Sequence, residues 1–156
     1  MARNNGGTKA IRRQIAALNK VKSTLPTIIG NTAENFFKAS FRKQGWDDQV
    51  VKRWQPRKNE IIGGIAMVST KSAGSRAILV KTGALRRSIH TTVATWKRVV
   101  ITSDLPYSSI QNNGGIGLAW GKHRFKMPQR KFMGNSYQLR KQITKVMERE
   151  LNKVFK

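Results

Sequence analysis

Apolar residues recur at helical spacing in three stretches of the chain and alternate in a fourth. From Thr8, the residues Ile11, Ile15, Leu18 and Val21 form a stripe, while Arg12, Arg13, Lys20 and Lys22 fall on other faces. Thr24-Leu25-Pro26 predicts a kink or break, because proline inside a helix removes a hydrogen bond and clashes with the preceding turn. Pro26 suits the first turn of a second helix, in which Ile28, Ile29, Thr32, Ala33, Phe36, Phe37, Ser40 and Phe41 make a broad apolar face ending at Gly45. Near the other end, Leu139, Ile143, Val146, Met147, Leu151 and Val154 predict a closing amphipathic helix.

The alternating stretch is Ser88 to Thr95, with Ile89, Thr91 and Val93 on one face. Trp96-Lys97-Arg98 turns the chain and Val99 to Thr102 returns, which predicts an antiparallel hairpin. Just before it, Ile78 to Ile89 reads as a strand end, a turn and one helical turn. There Thr82 caps through its hydroxyl, Gly83 permits the reversal, Leu85 and Ile89 share a face, and Arg86 and Arg87 point away. Tyr107 to Gly115 predicts a short helix ended by glycines. Gly45 to Asn59 is irregular, and at least one of Trp46 and Trp54 is expected to pack on the Phe-rich helix. Ile61 to Val68 is apolar but broken by glycines, Ser69 to Ser75 is turn-like, and Ile116 to Lys126 fits a flexible hairpin or surface loop. The fold expected is α+β, with long N-terminal helices and a C-terminal helix packed on a small antiparallel β-sheet. It forms a single domain over 1–156, with a mobile arm at 1–8 and a flexible loop at 112–126.

Charge changes this picture more than length does. The 31 Lys and Arg against 7 Asp and Glu give a formal net charge of +24. A compact body with that imbalance repels itself and calls for anionic, acidic or nucleic-acid neighbours. No acid interrupts Ile61 to Ser103 or Leu105 to Met147, so the whole body is basic, unlike a neutral domain with a basic tail. Hydrophobic residues make up 38%, below the average for soluble domains, which favours a surface completed by partners. The absence of cysteine excludes disulfides, thiolate metal sites and a cysteine nucleophile. No apolar run is long enough for a membrane span and no signal core follows Met1, so no membrane partner and no export are expected.

Catalytic patterns are missing. Of the acids, only Asp47 and Asp48 are close in sequence, and adjacent loop residues diverge. His90 and His123 lack acids at ligand spacing, so no metal, cofactor or catalytic residue is assigned. Gly117 and Gly121 stand too close together for a phosphate loop, and His123 occupies the magnesium-binding position of such a loop. Basic residues interleaved with aromatics at Lys122 to Phe125, and the basic arm with Arg3, Lys9, Arg12 and Arg13, are able to neutralise phosphates. An alternative reading is therefore a basic nucleic-acid-binding protein, ribosome-associated or a packaging factor.

Four segments in order give the chain a wider likeness. They are Phe37 to Gly45 (FKASFRKQG), Leu79 to Ile89 (LVKTGALRRSI), Tyr107 to Gly115 (YSSIQNNGG) and Pro128 to Gly134 (PQRKFMG). Together they resemble the phage virion morphogenesis family, the tail completion and head-tail neck proteins of long-tailed bacteriophages. The family often carries His in the segment after the tyrosine, where this chain has Gln111. The resemblance implies a nonenzymatic structural subunit, made in the host cytoplasm and located at the virion neck or tail top. It implies a homo-oligomeric ring of six or twelve copies that joins head to tail, lets DNA pass, and contacts portal or connector and tail proteins. On that footing Arg86, Arg87, Trp120, Lys122, Arg124 and Phe125 are candidates for subunit or ring contacts. Arg3, Lys9, Arg12, Arg13, Lys122, Arg124 and Lys126 are candidates for contact with an acidic partner or, without sequence preference, with genomic DNA.

Overall fold

A computed structural model describes residues 5–55, 61–62, 65–66, 77–119 and 123–155. Helix α1 runs from Asn5 to Lys43, 39 residues and about 58 Å at the usual rise. It is one helix where the sequence predicts two, since Pro26 lies inside it. An interior proline costs roughly 3 kcal/mol. That cost is offset here by packing: Leu25 is 2% exposed, and Leu25, Pro26 and Ile29 line an apolar hollow with Trp96, Val99 and Met147. The hydroxyls of Ser23 and Thr24 both donate to the Lys20 carbonyl, at 2.8 and 3.0 Å. The helix also takes in Asn5 to Thr8, half of the expected arm, because extending an existing helix adds a hydrogen bond for each residue fixed.

After α1, the strands β1 (Gly45–Asp47) and β2 (Val51–Arg53) form a short hairpin, and β3 (Ile61–Ile62) pairs with β4 (Ile65–Ala66). The turn helix α2 (Ala84–Arg87) leads into β5 (Ile89–Thr95) and β6 (Arg98–Ser103), antiparallel with a register shift between Thr91 and Val93. Helix α3 (Ser108–Asn113), strands β7 (Gly115–Ala119) and β8 (His123–Met127), and helix α4 (Tyr137–Asn152) complete the order. The architecture is α+β, with a long N-terminal helix, a C-terminal helix and small antiparallel sheets, each of two strands among the described residues. Within the segment expected as a flexible loop, 112–113 end α3, while Gly115–Ala119 and His123–Met127 are paired strands. The turn segment Ser69 to Ser75 lies outside the described residues.

One half of α1 organises the core. Ala33, Phe36, Phe37 and Phe41 are buried together with Trp46, Trp54, Leu85, Ile89, Phe132 and Leu139. Both tryptophans meet the Phe-rich face: Trp46 stacks on Phe37 with ring centroids 6.2 Å apart, and Trp54 meets Phe41 edge-on at 5.5 Å. The Trp54 indole N–H donates to the Lys131 carbonyl at 2.7 Å, which removes the cost of burying it unpaired.

Two glycines fix how the other elements reach this core. At Gly30 a β-carbon would sit 2.8 Å from the Thr91 hydroxyl, so its absence lets β5 lie directly on α1. Thr91 then donates to Glu34 Oε1 through its backbone N–H at 2.7 Å and its hydroxyl at 2.8 Å. At the head of α2, Gly83 adopts φ 73 and is itself the N-cap, in place of the expected Thr82. The Thr82 hydroxyl lies 3.4 Å from the Ala84 N–H, too long for a strong cap. Leu85 and Ile89 do share the buried face, at 4% and 0% exposure.

Candidate assembly surfaces

The four sequence segments that carry the family likeness converge on one structural knot. Gln44, next to last in the first segment and with φ 51, donates to the carbonyls of Phe41 at 2.6 Å and Ile78 at 3.2 Å. Its Oε1 accepts from the Ile78 N–H, so its amide clamps the chain just before the second segment. Asn112 in the third segment accepts from the N–H groups of Phe132 and Met133 in the fourth, both at 2.9 Å. The Gln111 carbonyl accepts from the Arg130 N–H at 2.9 Å, and Phe132, 1% exposed, reaches the Phe41 ring at 5.3 Å. These segments hold the core. Gln111 serves here through its backbone, while its buried side-chain Oε1 has no hydrogen-bond partner among the described residues.

The acids are consumed in the same internal work. Glu34 pairs with Lys38 at 2.9 Å besides Thr91; burial pushes its carboxyl up, but the bonds from Lys38 and Thr91 outweigh this and hold it below the usual 4.5. Asp47 pairs with Lys43, and Asp48 accepts from the Tyr137 N–H at 2.6 Å at the start of α4. Ser136 caps that helix by accepting from the Leu139 N–H at 3.2 Å, while its own hydroxyl donates to the Asp47 carbonyl. A hydrogen bond from Lys153 holds Glu150 low against its burial, with Arg149 assisting. The fold also brings Asp104 to His90, at 3.4 Å on the surface, a pairing that sequence spacing does not reveal. Among the described residues no group of three or more metal-ligating side chains comes together. Of the six described acids, only Glu148 has no partner of this kind.

Most of the described cations, in contrast, lie outside, although Arg130 is buried. Lys9, Arg12 and Arg13 are exposed on the N-terminal half of α1, where Ile11 and Ile15 are also 56% and 52% exposed. Arg87 is exposed on α2 and Arg86 half-buried beside it. Arg124, Phe125 and Lys126 come together on β8, far along the chain from both. Arg3, Trp120 and Lys122 lie outside the described residues.

Strand pairing exposes a grouping that residue-type reasoning missed. Ile116 stands opposite Lys126, and Leu118 opposite Arg124, so these four side chains share one face of the β7–β8 hairpin. Ile116 and Leu118 are 72% and 62% exposed. The signal available was the period-two pattern Ile-Gly-Leu facing Arg-Phe-Lys, hidden in a glycine-rich stretch that reads as loop.

A family model for phage virion morphogenesis matches residues 8–152, nearly the whole chain. The chain belongs to the phage virion morphogenesis family. No curated protein and no solved structure matches it significantly. Membership gives this morphogenesis protein a structural or assembly role in a phage virion, in company with other virion proteins. Among the described residues no helix is long and apolar enough to cross a membrane.

Proposed function

We propose that this family member is a nonenzymatic subunit of the virion neck or tail top, assembling as a ring of six or twelve copies that joins head to tail and lets DNA pass. The reading rests chiefly on one observation: the family match spans nearly the whole chain, whose net charge is +24. The internal pairing of most acids, described above, sharpens it, because the unbalanced positive surface needs anionic neighbours before many copies can approach one another. A DNA-filled passage and acidic virion proteins both supply them. Arg86, Arg87, Arg124 and Phe125 are the described candidates for contacts between subunits or rings; Lys9, Arg12, Arg13, Arg124 and Lys126 are those for DNA or acidic partners.

The test is a phage lacking this gene, inspected by electron microscopy. Filled heads and complete tails that fail to join, with joining restored by the gene in trans, are the expected result. Joined, infectious particles would sink the proposal. A purified chain that stays monomeric and binds duplex DNA with steeply salt-dependent affinity would favour a nucleic-acid-binding role instead.

A further inference from the structure

The outer face of the β7–β8 hairpin has a composition that points to one kind of partner. It carries two aliphatic side chains, Ile116 at 72% and Leu118 at 62% exposure, directly across from two exposed cations, Lys126 and Arg124. No acid occurs between Leu105 and Met147, so nothing on the hairpin neutralises those cations. On the opposite face Phe125 lies across Gly117, so close that a β-carbon there would meet its ring at 2.4 Å. The base is tied down: Arg130 donates from its backbone to Gln111 and from its guanidinium to the Met127 sulfur at 3.8 Å. A two-stranded hairpin is marginal by itself, and this one turns its aliphatic pair to water.

We propose that this face docks a different protein, one presenting an apolar ridge flanked by carboxylates. The inference rests on the assembly role above and adds the chemistry of the partner. Duplex DNA would satisfy Arg124 and Lys126 but leave Ile116 and Leu118 in water, because its outer surface is phosphate and sugar. A second copy of this chain would meet the aliphatics but not the cations. Four of its six described acids, Glu34, Asp47, Asp48 and Glu150, are already bonded within the chain, and Asp104 lies beside His90. An acidic, partly apolar protein surface satisfies all four side chains together, with an apolar centre and a charged rim.

Photo-crosslinking tests the identity of the occupant. The full chain with p-benzoylphenylalanine in place of Ile116 is irradiated in cells producing the phage, and adducts are mapped by mass spectrometry. The expected product joins the hairpin to one other virion protein at a segment bearing Asp or Glu. Changing those acids to Lys should then restore assembly to R124E/K126E. Adducts only between copies of this chain, adducts to nucleic acid, or no adduct would overturn the proposal. In parallel, I116S/L118S and R124E/K126E should each lower the yield of joined particles about tenfold, the effect of losing roughly 1.4 kcal/mol of binding, while thermal unfolding stays as in the parent. Wild-type yield from the serine pair would also overturn it. If the gene deletion still gives joined particles, the neck reading fails, and the crosslink decides the docking face separately.

Discussion

The hairpins β5–β6 and β7–β8 are both antiparallel pairs of consecutive strands, and they are used in opposite ways. β5 lies on α1 at Gly30, with Ile89 fully buried and Thr91 held by Glu34. β7–β8 instead turns Ile116 and Leu118 outward. Burying an aliphatic side chain of this size is worth about 1.5–3 kcal/mol, so β5 contributes to the fold what β7 leaves unused in the isolated chain. The contrast teaches where to look for function. Residues that close the core explain themselves, whereas aliphatics held in water on a shaped, basic face gain free energy only when something covers them.

The largest expected effect lies in the buried hairpin. Ile89→Ala deletes most of a side chain that is 0% exposed, amid Leu85, Phe132 and the α1 phenylalanines, and should destabilise by about 2–5 kcal/mol. Urea unfolding of the purified chain measures it. A loss under 1 kcal/mol would show that β5 is not the closed side of the domain and would break the comparison.

A smaller effect is expected at the bond that fixes β5 to the helix. Glu34→Gln removes the charge that Thr91 and Lys38 converge on, costing about 1–2 kcal/mol for hydrogen bonds to a charged group. The sign with pH follows from the shift. The folded carboxyl lies below 4.5, so its contribution is complete above the unfolded value and is lost as pH falls through the lowered folded one. The stability gap between the parent and the glutamine variant should therefore be widest near neutral pH and close on acidification below about 4.5. A gap independent of pH would mean that the ionised form of Glu34 stabilises the fold no more than the protonated one.

Legibility divides along the same line. The Phe-rich face, the β5–β6 hairpin, the glycine-ended α3 and the closing helix could all be read, because each carries its own period or its own punctuation. The continuity of α1 through Pro26 could not, since it depends on Leu25 and Pro26 meeting Trp96 and Met147 from distant parts of the chain. Tertiary burial overrides a local breaker, and local pattern does not reveal it. The internal use of Asp48 and Glu34 was hidden for the same reason: their partners, Tyr137 and Thr91, are 89 and 57 residues away. At the hairpin the charged residues Arg124 and Lys126 were visible as candidates. Ile116 and Leu118 were not, because their significance depends on the register that sets them opposite those cations.

The smallest effect on stability should come from the exposed hairpin, and its smallness is the point. Ile116→Ala with Leu118→Ala removes two aliphatic side chains that already face water, so each change should move the unfolding free energy by no more than about 0.5 kcal/mol. The same kind of truncation as Ile89→Ala is then nearly silent in urea. If the double variant instead unfolds as readily as the Ile89 variant, the hairpin face is covered within the domain and has no surface to offer a partner. If it is silent in urea but joined particles are lost in cells, the two hairpins differ in purpose as well as in burial: one holds the subunit together and the other holds it to something else.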